Sequence, residues 1–96
     1  MPKAFWIAHV TVTDEASYRK YAALATEAIE GHGGRFLARG GAAIQKEGRA
    51  HPRNVVAEFP SLEAANACYD SATYQEALSH ARGASERDLV LVEALD

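Results

Sequence analysis

The order in which two hydrophobic repeats alternate along this 96-residue chain constrains its fold more than any other feature. Four short segments are rich in β-branched and aromatic residues, as strands are, and two longer regions carry apolar residues at helical spacing. The predicted strands are residues 4–12, 35–39, 53–59 and 88–95. With right-handed crossovers, the order β, α, β, β, α, β predicts a ferredoxin-like α+β fold, in which a four-stranded antiparallel sheet carries both helical regions on one face.

Capping residues and glycines indicate where the first helix begins and ends. Thr13 or Asp14 can cap a helix of about 17 residues, and Gly31 or Gly33 can take the left-handed conformation that ends it. Two glycines follow the second strand at residues 40–41, where a bulge or bend is predicted.

The second helical region is predicted to consist of two pieces. Pro60 ends the third strand, and Ser61 can cap the first piece. Asp70 and Ser71 interrupt the apolar stripe, so Ser71 can start a second piece that Gly83 closes.

Length and composition limit the chain to a single domain over residues 1–96, with 48% apolar residues and no low-complexity tract. A chain of this size buries only roughly 60 to 65% of its unfolded surface. An apolar interface with a second copy would therefore add stability, and a homodimer is expected.

Charge and cysteine content exclude several classes of partner and compartment. The net charge is -3 with no block of basic residues, which argues against binding to nucleic acid or to an anionic membrane. No segment approaches the roughly 18 to 20 apolar residues of a membrane helix, and the N-terminal apolar run is too short for a signal peptide. The lone Cys68 cannot form an internal disulfide and is predicted to be a small core residue, so a reducing cytoplasm is expected.

Side chains alternate between the two faces of a strand, which divides the predicted sheet into two sets of residues. One set is wholly apolar and is predicted to lie beneath the helices: Trp6, Ala8, Val10, Val12, Phe36, Ala38, Val55, Ala57, Phe59, Val90, Val92 and Ala94. The other set is mixed and is predicted to face outward: Phe5, Ile7, His9, Thr11, Arg35, Leu37, Arg39, Asn54, Val56, Glu58, Leu89, Leu91, Glu93 and Leu95. An outer face with this many large apolar residues predicts that a second copy covers the sheet.

Four polar residues of the mixed set, His9, Arg39, Glu58 and Glu93, are expected to share one space between facing sheets. One interpretation is an interfacial ion-pair network that pairs buried charges and sets the register. The other is a catalytic site in which His9 acts as an acid or base, Arg39 holds an anionic ligand and Glu58 is a working carboxylate.

A second candidate site involves residues of the helices. On one interpretation they are core residues with hydroxyls that reach a polar partner, and these are Tyr18, Tyr21, Tyr69 and Tyr74. On the other interpretation, Tyr18, Tyr69, Tyr74 and Arg82 lie near the cleft between the helices and the sheet and bind a small aromatic compound or acid.

Metal, cofactor and phosphate sites are not indicated. The four histidines do not occur at the spacing of metal ligands, and one cysteine excludes a structural zinc cluster. The glycines of GHGGRFLARGG, residues 31–41, do not match a phosphate-binding loop. We therefore expect no metal and no cofactor.

Motifs along nearly the whole chain resemble the domain-of-unknown-function 1330 family. They are WIAHV (6–10), GGRFLARGG (33–41), RNVV (53–56), EFPS (58–61), YDS (69–71), YQ (74–75) and DLVLVE (88–93), with Tyr18, Tyr21 and Arg82. The residues that recur in sequences of this type are Tyr18, Gly34, Arg39, Gly40, Glu58, Phe59, Tyr69, Ser71, Tyr74 and Arg82. One departure is Ser71-Ala72-Thr73, where members often have Ser-Pro-Glu, so helix initiation there is expected to be weaker.

The resemblance implies the dimeric α/β-barrel superfamily, in which two ferredoxin-like sheets face each other with the helices outside. That superfamily includes cofactor-independent monooxygenases, stress-response barrels and relatives of chlorite dismutase, so the fold does not select a chemistry. We expect a small bacterial homodimer with a small-molecule-binding or structural role. The alternative is a cofactor-independent monooxygenase or isomerase that acts on a small carbonyl or phenolic compound.

Overall fold

Four antiparallel strands form one sheet in the computed structural model, which describes residues 2–96. The strands are β1 (Ala4–Val12), β2 (Arg35–Arg39), β3 (Arg53–Phe59) and β4 (Ser85–Glu93), and the helices are α1 (Glu15–Gly31), α2 (Leu62–Asp70) and α3 (Ala72–Ala81). The strands lie side by side in the order β2-β3-β1-β4. This order, with its two helical crossovers, is the ferredoxin-like α+β arrangement, and the predicted fold class is confirmed.

Side-chain oxygens cap all three helices at positions that the sequence indicates. The Asp14 carboxylate accepts a hydrogen bond of 3.2 Å from the Ser17 amide, and the Ser61 hydroxyl accepts one of 3.0 Å from the Ala64 amide. Ser71 ends α2 and caps α3, which confirms the predicted division of this helical region. Within residues 2–96, none of the helices combines the length and hydrophobicity that crossing a bilayer requires.

The helix-covered face of the sheet is an aromatic and aliphatic layer centred on Trp6, which is 1% exposed. The Trp6 ring lies edge-on to Tyr74 of α3, with ring centroids 5.0 Å apart, and 5.7 Å from the Phe59 ring of β3. Aromatic pairs of this kind contribute roughly 0.5–1.5 kcal/mol each beyond the burial of their area. The faces predicted for β1 and β3 are confirmed, because the alternate residues of both strands that were assigned to the helices are buried there, apart from Val12, which is half-buried and packs against the core.

The face assignment predicted for β4 is wrong. Leu91 pairs with Trp6 and Leu89 pairs with Ala8, so both leucines lie on the helix side and pack against the core. Val90 and Val92 face outward and are 54% and 44% exposed. Both parities of this strand are apolar, so hydrophobicity alone did not distinguish its two faces.

The start of β4 and the position of Glu93 also differ from the prediction. The strand begins at Ser85 rather than at residue 88, and it ends at Glu93. Glu93 pairs with Ala4, which faces the helices, so Glu93 does not share the outer face with His9 and Glu58. Ala94 and Leu95 follow the end of the strand.

A bulge in β2 changes the face of its last residues. Phe36 pairs with Ala57, but after a register shift Ala38 pairs with Val56 and Arg39 with Val55. Leu37 is therefore the extra residue, and the bulge lies before Gly40 and Gly41 rather than at them. Because a shift of one residue exchanges the two faces, Arg39 lies on the helix side and Ala38 on the outer side. The predicted positions of both residues are wrong.

The outer face of the sheet remains apolar after these exchanges. Leu37 is 47% exposed, and the valines of β4 replace the leucines that were predicted there. Phe5, Ile7 and Val56 lie on the same side and are half-buried. A patch of this kind is typical of a protein interface.

Gly34 allows the close approach of α1 to the sheet, and this position generates the first prediction. A Cβ atom there would lie 2.7 Å from Ile29 Cγ2 and 2.9 Å from Phe59 Cε2, whereas a Cβ atom at Gly31 would meet nothing within 4 Å. Gly34→Ala should lower the free energy of unfolding by about 1–3 kcal/mol because the packed core must shift. The control Gly31→Ala should leave it unchanged or raise it slightly. Urea denaturation curves with coincident midpoints for the two variants would contradict this explanation.

Candidate functional site

The histidine and carboxylate that the sequence singled out lie on the outer face of the sheet. His9 of β1 is exposed, and its Nδ1 lies 2.6 Å from Asn54 Oδ1 on β3. Glu58 Oε1 lies 3.5 Å from Lys3 Nζ and 3.3 Å from Arg35 Nε. Glu58 is thus paired with two exposed cations, an arrangement that is typical of a surface ion pair of small energy.

Arg39, the third predicted catalytic residue, is separated from His9 and Glu58 by the sheet itself. Its Nη1 donates a hydrogen bond of 3.4 Å to Thr26 Oγ1 of α1, and its guanidinium carbon lies 4.4 Å from the centroid of the Phe36 ring. The structure therefore does not bring the three residues together. Within one chain, Arg39 lies on the helix side of the sheet and His9 and Glu58 on the outer side, because the bulge in β2 changes the face of Arg39. The catalytic roles of these residues stay predictions.

A pocket of about 350 Å³ lies on the helix side, between α1 and the sheet. Its apolar walls come from both layers and include aromatic rings at each side. It is lined by Trp6, Ala8, Tyr18, Tyr21, Ala22, Ala23, Ala25, Thr26, Ile29, Phe36, Arg39, Arg53, Val55 and Arg87. Its size falls within the range of pockets for small ligands, about 300–1,000 Å³.

Three strands each contribute one arginine to the pocket: Arg39 from β2, Arg53 from β3 and Arg87 from β4. Each guanidinium carbon lies over an aromatic ring, at 5.8 Å from the Tyr18 centroid for Arg53 and 4.5 Å from the Tyr21 centroid for Arg87. Among the described residues, those that line the pocket include no carboxylate and no histidine. The pocket is therefore positively charged and suited to an anion.

Arg87 joins two tyrosine hydroxyls at one end of the pocket. Its Nη2 donates hydrogen bonds of 2.6 Å to the Tyr21 hydroxyl and 3.3 Å to the Tyr74 hydroxyl, and the two hydroxyls lie 2.8 Å apart. Burial raises the pKa of Tyr21, and it also raises the pKa of Tyr74 against the opposing effect of Arg87. Burial alone would lower the pKa of Arg87, but its two tyrosine neighbours outweigh this effect and raise it. At neutral pH the tyrosines are therefore protonated and Arg87 is cationic.

The hydrogen bonds of this cluster leave donors without acceptors. One hydroxyl proton is used between Tyr21 and Tyr74, and among residues 2–96 the other has no acceptor. The Nε atoms of Arg53 and Arg87 are also buried without a hydrogen-bond partner in the described part of the chain. Buried polar groups are normally paired, so these two Nε atoms are exceptions, and both belong to arginines that line the pocket.

A second depression of about 430 Å³ adjoins this pocket and shares Tyr18, Ala22 and Arg53 with it. Glu15 and Arg19 of α1 also line this second space. Gly40 lies close to the Arg53 guanidinium, because a Cβ atom on Gly40 would lie 2.7 Å from Arg53 Nη1. Arg53 therefore stands between the two spaces with its guanidinium held closely by its surroundings.

The residues predicted to bind a ligand occupy three different positions. Tyr18 lines the pocket, and Tyr74 lies behind it and contacts the pocket through the Tyr21 hydroxyl. Tyr69 packs its ring against Trp6 and Tyr74, with centroids 6.1 Å and 5.2 Å away. Arg82 is exposed at the end of α3 and does not line the pocket. The ligand-binding roles of these residues stay predictions.

Three residues of the pocket were missed from the sequence as site residues. Arg53 lies two positions before Val55 on the buried parity of β3, so alternation alone could have placed it under the helices. Arg87 lies on the same face of β4 as Leu89, but it precedes the predicted start of that strand. The apolar pattern of β4 also did not show which of its two faces is buried. Tyr21 belongs to the apolar stripe of α1 and was predicted to be a core residue whose hydroxyl reaches a polar partner, but it was not named as a ligand-binding residue.

Residues 2–96 contain one free cysteine and no cluster of metal-ligating side chains. Cys68 is fully buried, and burial raises the pKa of its thiol to about 11, so it stays protonated at neutral pH. Among residues 2–96 there is no group of three or more His, Cys, Asp or Glu side chains placed to hold a metal ion. The pocket is the strongest candidate for a functional site.

Residues 3–95 match the family model described as domain of unknown function (DUF1330), and the chain belongs to this family. A search of curated proteins finds no match. The similarity to the family named from the sequence motifs is thus confirmed over almost the whole chain.

Solved structures with the same fold include proteins of unknown function and an oxygenase. The RPA0582 protein of unknown function from Rhodopseudomonas palustris is 19% identical, with a TM-score of 0.79 over 99% of this chain and 84% of that one. SnoaB, a cofactor-independent oxygenase from Streptomyces nogalater, is 12% identical, with a TM-score of 0.70 over 100% and 96%. A dimeric ferredoxin-like protein of unknown function from Jannaschia is 12% identical, with a TM-score of 0.67 over 96% and 99%. At these identities the similarity establishes the fold alone.

Proposed function

We propose that this protein is a homodimer that binds a small organic acid in the pocket between α1 and the sheet. The observation that carries the proposal is the set of three guanidiniums around an apolar pocket whose described lining has no carboxylate. An organic anion matches both properties, since its acidic group can accept from the arginines while its body contacts Trp6 and Phe36. We place this function in the cytoplasm, because a single buried thiol is compatible with a reducing compartment.

The state of the tyrosines favours binding over catalysis. A side chain that removes a proton must be a base, but burial keeps Tyr21 and Tyr74 protonated and thus makes them hydrogen-bond donors. His9 and Glu58, which could act as bases, lie on the opposite face of the sheet. The chemistry of the pocket is therefore that of a receptor for oxygen anions.

Binding can be tested with benzoate as a probe carboxylate. Benzoate at millimolar concentration should raise the Tm, because a ligand that binds only the folded state stabilises it. Arg53→Gln should weaken binding about tenfold or more, since a hydrogen bond to a charged group contributes about 1.5–3 kcal/mol. Lys20→Gln, which removes a charge from the exposed side of α1, should bind as the wild type does. An unchanged Tm of the wild type with benzoate and related aromatic carboxylates would refute the proposal.

Substitutions at Gly40 and Gly41 test whether the position of the Arg53 guanidinium matters for binding, without changing any charge. Gly40→Ala should displace the Arg53 guanidinium and weaken benzoate binding, because the new methyl group would take its space and Gly40 has a φ of 74°. Gly41→Ala adds a methyl group in open space and should bind benzoate normally. Equal affinities of the two variants would show that the position of Arg53 is irrelevant to binding.

The proposed dimer would form through the outer face of the sheet. A four-stranded sheet about 19 Å wide and about 25 Å long presents roughly 500 Å² from each copy, or about 1,000 Å² in total, which is the minimum expected of a biological interface. The exposed Leu37, Val90 and Val92 lie on this face. Solved relatives of the same fold, including the Jannaschia protein, are described as dimeric.

Light scattering of two charge variants tests this interface. The wild type should be a dimer at micromolar concentration, and Val90→Asp should be monomeric because it buries an unpaired carboxylate in the interface. Leu62→Asp introduces the same charge at the start of α2, on the opposite layer, and should remain dimeric. A monomeric wild type, or a dimeric Val90→Asp variant, would contradict the proposed interface.

A second candidate function is that of a cofactor-independent monooxygenase or isomerase acting on a phenolic or carbonyl compound. It is supported by the similarity to SnoaB, which is described as a cofactor-independent oxygenase. An oxygen electrode distinguishes oxygenation from binding. A receptor should not accelerate the consumption of oxygen by phenols or 1,3-dicarbonyl compounds, whereas consumption that saturates with such a substrate and decreases in Arg87→Gln would favour the oxygenase.

A further inference from the structure

We propose that the sheets of the two copies cross at about a right angle, so that Arg35 of each copy pairs with Asp88 of the partner subunit at the rim of the interface. This inference rests on the proposed function, because it requires that the outer faces of two sheets meet. It adds the orientation of the second copy and the charged residues that set this orientation.

The charged side chains of the outer face lie at two diagonally opposite corners of the sheet. Strand pairing aligns Arg35, Glu58, Phe5 and Val92 in one row across the sheet, and Asn54, His9 and Asp88 in a second row. Arg35 therefore stands at the β2 corner of the first row, and Asp88 stands at the β4 corner of the second row. The two remaining corners are uncharged, with Val92 at one and Gly40, which follows the end of β2, at the other.

Neighbouring residues give the first corner a positive charge. Lys3 Nζ and Arg35 Nε lie 3.5 Å and 3.3 Å from the same oxygen of Glu58, so two cations share one carboxylate. This group on the outer face of the sheet has one positive charge in excess. It can therefore accept a further carboxylate.

The second corner carries negative charge. Glu86 and Asp88 lie on the same face of β4, where they pair with Thr11 and His9. Asp88 Oδ2 also lies 3.5 Å from His51 Nε2. With the histidines uncharged, this corner has two carboxylates and no cation on the outer face of the paired strands. The two charged corners are thus opposite in sign.

The four corners span an almost square area. The two rows are four residues apart along β1, from Phe5 to His9, which corresponds to about 14 Å. The three spacings between four strands also amount to about 14 Å. A two-fold axis along a diagonal of this square places each corner of one copy over a corner of the other. The strands then cross at about 90°, which is one of the two ways in which sheets pack face to face.

The positions of the charges select one two-fold axis in the plane between the sheets. An axis along or across the strands places Arg35 over an uncharged corner of the partner and leaves both charges unpaired. The diagonal through the charged corners places Arg35 over the partner's Arg35, and like charges repel. The diagonal through the uncharged corners places Arg35 over Asp88 of the partner subunit, and symmetry repeats the pair. Charges opposite in sign fix orientation, whereas like or unpaired charges oppose association.

The two side chains are free to form this pair. In one copy the Arg35 side chain is 71% exposed and the Asp88 side chain is 78% exposed. Between the two rows, the outer face carries Ile7, Val56 and Val90 at its centre. Rotation about the diagonal keeps these residues at the centre of the interface. The apolar centre supplies contact area, and the charged corners form a polar rim that sets the orientation.

Reversal of charge at the two corners tests this orientation. Arg35→Glu and Asp88→Arg should each weaken the dimer about tenfold or more, because each variant brings corners of like charge together twice. In an equal mixture, one chain of each variant should combine into a heterodimer about as stable as the wild-type dimer, because both of its corner pairs are then opposite in sign. Native mass spectrometry separates the heterodimer from both homodimers by mass.

Controls distinguish this pairing from a general effect of charge. Lys20→Glu makes a change of the same sign as Arg35→Glu on the exposed side of α1. It should form dimers as the wild type does and should show no preference for the Asp88→Arg chain. Reversed variants that dimerise as the wild type does, or a mixture with the statistical ratio of one to two to one, would overturn the orientation.

Folding of each variant is verified by circular dichroism. If a reversed variant does not fold, the neutral substitutions Arg35→Gln and Asp88→Asn replace the reversals. Each should weaken the dimer several-fold, because it leaves the opposite charge unpaired in both corner pairs. Dimers of undiminished affinity in both neutral variants would equally overturn the orientation.

The outcomes also separate this inference from the proposed function. A monomeric wild type overturns the proposed dimer and this orientation together. A dimeric wild type whose Val90→Asp variant is monomeric, combined with no preference in the mixture, overturns the orientation and leaves the interface through the sheet intact. The benzoate measurements test the pocket independently of both.

Discussion

The alternation of side chains along each strand is the constraint on which the rest of this structure depends. Because the helices cover one face of the sheet, the parity of a residue decides whether it lies in the core and pocket or on the outer face. A shift of one residue exchanges these environments. The bulge at Leu37 moves Arg39 under α1, and the register of β4 places Arg87 there as well. Together with Arg53, they form a pocket of three arginines that no single strand could build.

Three guanidiniums in one pocket require compensation for their mutual repulsion. In this protein aromatic rings supply part of it, since Arg39 lies over Phe36, Arg53 over Tyr18 and Arg87 over Tyr21. Hydroxyl oxygens supply another part, because Tyr21 and Tyr74 accept hydrogen bonds from Arg87. Neither kind of partner carries a negative charge. The arginines are therefore held in place while the pocket keeps its positive potential for a ligand.

The family and the solved relatives define the architecture without defining the chemistry. Proteins of unknown function and an oxygenase share this fold at 12–19% identity, so function must be argued from the side chains of the pocket. In this chain those side chains are cationic and hydrogen-bond donating, whereas His9 and Glu58, two of the residues predicted to be catalytic, lie on the other face of the sheet. The hydrogen-bond donors of the pocket lie on one side of the sheet, and the side chains that could act as bases lie on the other. This separation is the main reason to regard the pocket as a receptor.

The sequence by itself determined the order of the elements, the caps at Ser61 and Ser71, and the buried faces of β1 and β3. These features depend on local signals. A capping oxygen acts within one helical turn, and the buried face of a strand can be predicted where only every second residue is apolar. The tertiary structure alone decided the faces of Arg39, Leu91 and Arg87. The position of a bulge, and the buried face of an edge strand that is apolar on both sides, are set only when neighbouring strands pair. The register of that pairing depends on hydrogen bonds and packing between residues distant in the chain. The composition of the pocket follows from that register.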